Sequence, residues 1–477
     1  MKLRLYIDYY TEWGQSVYVY GSTKELGNWN EDSAIPMQCV ESSKWTLELD
    51  VECLSLEYKY IIRDEKGILR IEAGFPHKIN NLGYRLQVYD WWQDKDCNQH
   101  LYTSAFTNSF FAHTIHLDLK LSDYSVLLNV KCPIVDRPDE LCICGASKEL
   151  GEWQVNKAIA GKYQGDGIWA FTYRVQTIEV ETEYKFVIRN SFTKDLVEWE
   201  NGENRILYPL STAEPAIIIQ NLQFRFSQEK EWRAAGVAIP VFSLRTENSC
   251  GVGDFLDLRK MIDWAVVTNL KAIQILPIND TTSTLTNSDS YPYSAISIYA
   301  LHPIYIGLSE YPLSDKVLYA TYLKKFEVLN RSEKLDYENT MKTKLSYLKD
   351  LYAEIGRDVA SKSEYKGFVK GNESWLYPYA LFCYLRDKFR TAEIRKWGEY
   401  SVYNQYRLSK LASEKEVKTE LDFIYFCQFL LHKQLIETRN YAHNNGVILK
   451  GDIPIGVDPN SVDVWVEPQL FNLDTQT

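Results

Sequence analysis

No stretch of this 477-residue chain runs to 18 uninterrupted apolar residues, so no segment reads as a membrane span. The first ten residues lack the apolar run of a secretion signal, because Leu3, Leu5, Ile7 and Tyr9 alternate with Lys2, Arg4, Tyr6 and Asp8. A dense basic block is also missing. The 53 Lys and Arg are scattered among 64 Asp and Glu, and a net charge of -11 supplies no positive field for nucleic acid. The nine cysteines are odd in number and irregular in spacing. Cys142 and Cys144 lie i,i+2 on an expected strand, and no second pair completes a zinc site. The expectation is nine reduced thiols in a cytoplasmic protein, with no ligand cluster for a metal or organic cofactor.

What is abundant is aromatic. The chain has 34 Tyr and 13 Trp against 19 Phe. A packed core uses all three, but Tyr and Trp also present a flat apolar face with a polar rim, the mixed character of a sugar ring. A hydrophobic fraction of 45% is ample for packed cores. The length suggests about two to four domains.

The front of the chain is a duplication. Gly21-Ser22-Thr23-Lys24-Glu25-Leu26-Gly27-Asn28-Trp29 returns as Gly145-Ala146-Ser147-Lys148-Glu149-Leu150-Gly151-Glu152-Trp153. A second tryptophan follows in each copy, Trp45 and Trp169, and Glu57-Tyr58-Lys59-Tyr60 recurs as Glu183-Tyr184-Lys185-Phe186. Both copies read as all-β, with period-two runs between Gly, Asn, Asp and Pro punctuation. In the second copy Ile115, Leu117 and Leu119 alternate with His116, Asp118 and Lys120, which predicts a strand. Trp29 and Trp153 follow a Leu-Gly turn, a context that serves either ligand contact or packing on the turn. Trp45 and Trp169 open alternating runs and are expected in the core. Lys59 and Lys185 sit inside strands between aromatics and are expected on the solvent face.

These repeats resemble family 20 starch-binding modules over most of residues 1–210. In that family the platform combines the tryptophan of the Leu-Gly-x-Trp turn, the lysine of Glu-Tyr-Lys, and the tryptophan of a Trp-Glu-x-Gly-x-Asn-Arg segment. The second copy carries all of them in Trp153, Lys185, Trp199 and Asn204, the last two within Trp199-Glu200-Asn201-Gly202-Glu203-Asn204-Arg205. The first copy has Trp29 and Lys59, but Ile71 stands where the second tryptophan falls and the Asn-Arg pair is missing. The resemblance therefore implies two α-glucan platforms, the second binding more tightly, with Trp153 and Trp199 facing outward side by side.

After about Leu210 the grammar changes. Ser211-Thr212-Ala213-Glu214-Pro215 reads as a linker. Short apolar strands at 235–241, 272–278 and 447–454 then alternate with helical periods, a pattern that predicts parallel strands. Asp254 is positioned to cap a helix whose buried side carries Phe255, Leu258, Ile262 and Ala265, with Asp257 in its first turn. Longer helices are expected over 315–350, 374–392 and about 420–444. Asn279, Asp280 and Asp452 lie at strand C-terminal ends, where barrel sites are assembled, although Asp452 serves equally as a loop cap.

Phe242-Ser243-Leu244-Arg245, Gly251-Val252-Gly253-Asp254, Gln274 to Asn279, Tyr291-Pro292-Tyr293-Ser294 and Gly451-Asp452-Ile453-Pro454 are together similar to glycoside hydrolase family 77, the amylomaltases and disproportionating enzymes. The family commonly has Ser at Tyr291 and Asn at His302. The resemblance implies a retaining 4-α-glucanotransferase that moves glucosyl or maltosyl units between α-1,4-glucans, with Tyr293 and Asp452 lining the donor side of the cleft. The family's nucleophile lies in an Arg-x-Asp-His motif, and no such segment occurs in this chain. The catalytic carboxylates are therefore unassigned, and the chain reads as part of a larger enzyme, inactive by itself. The expected architecture is multidomain: all-β sandwiches over 1–105 and 106–215, then the N-terminal part of a (β/α)8 barrel over 216–477. The alternative function is a non-catalytic α-glucan-binding chain.

Overall fold

Alternating apolar residues in the first half, and helical periods between short apolar runs in the second, divide the chain into two compact units, Met1–Trp232 and Arg233–Thr477. The computed structural model describes residues 2–41, 43–53, 55–80, 85–93, 99–116, 118–122, 125–174, 180–209, 215–227 and 232–473. The expected linker residues 211–214, Leu117 and Cys97 lie outside the described residues.

The first copy contributes strands β1 (Lys2–Asp8), β2 (Ser16–Gly21), β3 (Lys44–Asp50), β4 (Ser55–Asp64), β5 (Gly67–Ile71), β6 (His77–Asn80) and β7 (Arg85–Trp91). The second contributes β8 (Ser125–Lys131), β9 (Asp139–Gly145), β10 (Ile168–Arg174), β11 (Thr182–Asn190), β12 (Leu196–Trp199), β13 (Arg205–Leu207) and β14 (Ile217–Gln223). Among the described residues of the predicted strand at 115–119, none lies in a regular strand. Ile115 is exposed, and the regular strand begins at Ser125. Alternation alone does not separate an extended segment from a paired one, and here the pairing partner decides.

Each copy has an outer sheet of its own, built around β2 and β4 in the first and β9 and β11 in the second. The inner sheet is common to both. β7 and β14, the last strands of the two copies, pair in parallel, with Leu86 opposite Ile217 and Val88 opposite Ile219. The order Lys162–Gly165, β10, β8, β14, β7, β1, β3, Gln38–Glu41 gives eight strands among the described residues. Paired residues in a parallel ladder point to one face, and successive residues alternate. Leu3, Leu5, Leu86, Val88, Ile217, Ile219 and Leu127 therefore enter the core of the first copy. Ile218, Val126, Leu128 and Val130 enter the core of the second. β8 and β14 are covered on both faces, which is why they read as unbroken apolar runs, Val126-Leu127-Leu128 and Ile217-Ile218-Ile219.

A polar network closes the seam. Tyr58 and Tyr60 donate to Asp90 Oδ2 at 2.6 and 2.7 Å, and Asn221 of the second copy donates to Asp90 Oδ1 at 2.5 Å. His77 Nε2 lies 2.8 Å from Glu72 Oε1, and its Nδ1 lies 3.4 Å from Asp90 Oδ1. Lys131, also of the second copy, donates to Gln93 at 3.1 Å.

In the second unit β15 (Gly236–Ala238), β16 (Ala272–Gln274) and β17 (Ile448–Lys450) pair in parallel. Helices α1 (Phe255–Val267), α2 (Lys316–Arg331), α3 (Tyr337–Ser361), α4 (Ser363–Gly371), α5 (Glu373–Phe389), α6 (Gln405–Ala412) and α7 (Lys415–Asn444) surround them. The result is an α/β region resembling a (β/α)8 barrel, with three parallel strands among the described residues. Asp254 caps α1 as expected, accepting from Leu256 and Asp257 N–H groups while Asp257 returns the bond to the cap. Phe255, Leu258, Ile262 and Ala265 are fully buried. The single helix expected over 315–350 is two, broken at 332–336, where Asp336 starts α3.

Candidate functional site

Both tryptophan turns are held in the same unusual backbone conformation. Gly151, Glu152 and Trp153 have φ of 82°, 52° and 62°, and Gly27, Asn28 and Trp29 have 80°, 49° and 63°. Left-handed conformation at a bulky residue costs about 1–3 kcal/mol and persists only where surrounding bonds enforce it. Trp153 N–H bonds Gly145 O at 2.9 Å and Trp29 N–H bonds Gly21 O at 2.7 Å, which pins each indole to the end of a strand. Gly145 and Gly21 are required there. A Cβ would stand 2.5 Å from Glu183 O in one case and 2.3 Å from Glu57 O in the other.

In the second copy Trp153 is 36% exposed, and its ring centroid lies 6.3 Å from that of half-buried Trp199, with the planes tilted by 55°. Trp199 pairs with Val187 across the ladder and rests with Cys142, Cys144, Ala158 and Val155. These small residues form a bed on the face of β9 and β11 that points away from the core. Lys185 pairs with Cys144 and shares that face, half-buried. Exposed Asn204 donates to Glu183 at 2.9 Å.

The segment carrying Trp199 and Asn204 is anchored by Glu200, which the sequence shows only as a motif letter. Its carboxylate is fully buried. It accepts from Phe186 N–H at 2.8 Å, from Arg205 Nη2 at 2.9 Å and from Arg225 Nε at 3.2 Å. Arg225 comes from beyond β14 and has no signal in the repeat.

The first copy differs where the sequence differs. Ile71 takes the place of Trp199, opposite Ile61, and is exposed. Tyr18 and Tyr20 fill the bed occupied by the two cysteines, and Trp29 lies edge-on to Tyr20 at 5.7 Å. Lys59 shares the Tyr20 face and donates to Glu72 O at 3.4 Å. Glu72 is the counterpart of Glu200, but its buried partner is His77 instead of arginine. Burial is the largest influence on the His77 imidazole and pulls its pKa down, yet Asp90 and Glu72 outweigh it and the net shift is upward.

In the second unit the structure brings Tyr293 and Asp452 together. The phenol donates to Asp452 Oδ2 at 2.7 Å, a bond that, ahead of burial, holds the Tyr293 pKa above its usual range. Tyr291 lies beside it, exposed. Asp280 is not available to a ligand. It is buried and accepts from Tyr379 at 2.6 Å and from Thr282. Asn279 spends its amide on Ser297 O and Ile298 O.

A cavity of about 370 Å³ is lined by Phe242, Asn279, Asp289, His302, Tyr305 and Tyr337. His302 Nδ1 accepts from Ile304 N–H at 3.0 Å, so the ring proton sits on Nε2 and points to Tyr337 Oη at 3.0 Å. Burial, the largest influence, lowers the pKa of that imidazole. Tyr337 then keeps its own hydroxyl proton to donate. The loop behind this cavity is held by buried side chains that sequence reading missed. Gln428 and Gln434 clamp Leu301 and Gly307 through paired amide bonds, and Lys344 donates to Ile304 O and Ile306 O.

Among the described residues, no nucleophile and acid pair is evident. No three His, Cys, Asp or Glu side chains gather around a metal position among them. Among the described residues, no helix is long and apolar enough to cross a membrane. Cys53, Cys142, Cys144, Cys250, Cys383 and Cys427 are free thiols.

Comparison with known proteins gives two family matches. The 4-alpha-glucanotransferase family matches residues 239–477, and the starch binding domain matches residues 1–88 and 124–216. A 4-alpha-glucanotransferase DPE2 of Oryza sativa subsp. japonica is 34% identical over 99% of this chain and 52% of its own length. A 4-alpha-glucanotransferase of Chlamydia muridarum is 32% identical over 54% of this chain and 48% of its own. An amylomaltase from Streptococcus agalactiae, solved in complex with acarbose, aligns at 22% identity and a TM-score of 0.43, covering 51% of this chain and 48% of that one. The chain spans about half the length of the curated relatives it matches. It belongs to the 4-alpha-glucanotransferase family, with two starch binding domains ahead of the region that defines it.

Proposed function

We propose that this chain binds α-glucans (starch, glycogen and malto-oligosaccharides) on two platforms, Trp153, Lys185, Trp199 and Asn204 in the second copy and Trp29 and Lys59 in the first. The observation that carries the reading is the adjacent indole pair on an outward face, propped by small side chains and anchored through Glu200. Two tilted rings suit successive glucose units of a curved chain, while lysine and asparagine address the hydroxyl rim. The second platform is the tighter one, because Ile71 offers no ring face. In the second unit, Tyr293 and Asp452 line the donor side of a 4-α-glucanotransferase cleft, where the paired phenol and carboxylate hold a sugar in place. Transfer of glucosyl or maltosyl units with retention needs two carboxylates about 5–5.5 Å apart across the bond. Because that pair is not evident among the described residues, binding without turnover is the activity of this chain by itself.

The test is calorimetric titration of the chain with maltoheptaose, with a maltotriose disproportionation assay beside it. Removing both rings as W153A/W199A should cost about 2 kcal/mol or more at that platform, roughly 30-fold in Kd, with no glucose released by either protein. Unchanged affinity rejects the platform assignment, and released glucose rejects binding without turnover.

A further inference from the structure

The two platforms lie on opposite sides of the shared sheet. Tyr20 and Lys59 pair across β2 and β4, on the face turned away from the core formed with Val17, Val19, Tyr58 and Tyr60. Lys185 and Trp199 likewise occupy the face of β11 and β12 turned away from the core formed with Leu141, Ile143 and Phe186. Those two cores lie on opposite faces of the shared sheet. Ile217, Ile219 and Leu127 enter the first, while Ile218, Val126 and Leu128, their immediate chain neighbours, enter the second. Each outer sheet stands about 10 Å from the sheet it packs on. The outer sheets therefore lie on opposite sides of the shared sheet, about 20 Å apart through it, and each platform occupies the outer face of its own sheet. The parallel β7–β14 ladder and the part-buried bonds from Asn221 to Asp90 and from Lys131 to Gln93 fix this relation.

We infer that the two platforms take separate α-glucan chains, and that the protein cross-bridges neighbouring branches or particles of a branched α-glucan. This rests on the platform reading above and extends it. A short oligosaccharide lying on one platform runs along an outer face and cannot turn back through two sheets to reach the other. The modules therefore gain nothing from each other on a short linear ligand. On a branched polymer the second engagement becomes intramolecular or interparticle, and avidity appears.

The experiment uses the whole chain, glycogen particles and maltoheptaose. Light scattering should rise as protein is added, peak, and fall again at large protein excess, when every particle is saturated singly. The variants W29A/K59A and W153A/W199A should each still co-sediment with glycogen but leave scattering at baseline. Maltoheptaose should bind the unsubstituted chain at two sites per molecule and each double variant at one. Scattering by either variant equal to that of the unsubstituted chain overturns the inference. So does glycogen binding without any rise in scattering, while the platform reading survives; one maltoheptaose per unsubstituted chain overturns the inference, and with it the assignment of whichever platform's double variant leaves that binding unchanged. Absence of any glycogen binding overturns both.

Discussion

Glu200 and Glu72 occupy one place in the two copies and are held by different chemistry. Glu200 meets two guanidinium groups, whose forked geometry suits a carboxylate. The carboxylate is buried but the side chains of Arg205 and Arg225 are 17% and 39% exposed, so removing Glu200 frees two cations that already touch water and leaves the Phe186 N–H unpaired, at a cost of about 1–3 kcal/mol. Glu200→Ala should lower the unfolding free energy of residues 1–232 by about that much in urea denaturation, and weaken glucan binding by releasing the segment from Trp199 to Asn204. A loss below about 1 kcal/mol would show that Glu200 does not anchor the segment. The left-handed tryptophans fit the same picture. Their strain is tolerated because Gly21 and Gly145 allow the turn to close on a strand end, and the closure aims the indole outward.

At the level of strands, the first copy contains a titrating joint. His77 on β6 lies between Glu72, beyond β5, and Asp90 on β7, while Tyr58 and Tyr60 reach the same carboxylate and Lys131 approaches from β8. A base whose pKa is higher folded than unfolded stabilises the fold fully below its unfolded value. That contribution is lost as pH rises through the folded value. Stability of residues 1–232 should therefore decline as pH climbs from about 6.5 through the raised His77 value. His77→Gln should flatten that part of the profile in urea melts across pH 5.5–9 while leaving the rest unchanged. A wild-type profile with the same slope as the variant would rule out the joint. The element scale also shows what periodicity conveys. Phe426, Phe429 and Leu430 recur at helical spacing on the buried side of α7, but its first turn, from Lys415, carries only Val417 as an apolar marker, so the expected start at about 420 falls late. The break at 332–336 was missed because apolar residues recur on both sides of it. The Asp336 cap, whose side chain takes the Asn339 N–H, is what separates the two helices.

For the molecule as a whole, the shared sheet makes the two copies one folding body. Ile219 belongs to the second copy in sequence and to the core of the first in space. Ile219→Ala should cost about 2–5 kcal/mol. Hydrogen exchange should report that loss in the amides of Tyr58 to Ile62, more than 150 residues away in sequence, as well as in β14 itself. Protection of β4 unchanged by the substitution would mean the copies unfold separately. The duplication, its β character, the tryptophan turns and the missing second ring at Ile71 were all legible in the chain, because local spacing and side-chain type carry them. The βαβ order of the second half was legible for the same reason. The parallel β7–β14 ladder, the placing of the two outer sheets on opposite sides of the shared one, the Arg225 and His77 anchors and the Tyr293–Asp452 bond were not. Each joins residues that no local pattern relates, and which strand edge or carboxylate they meet is decided only when the sheets and helices pack.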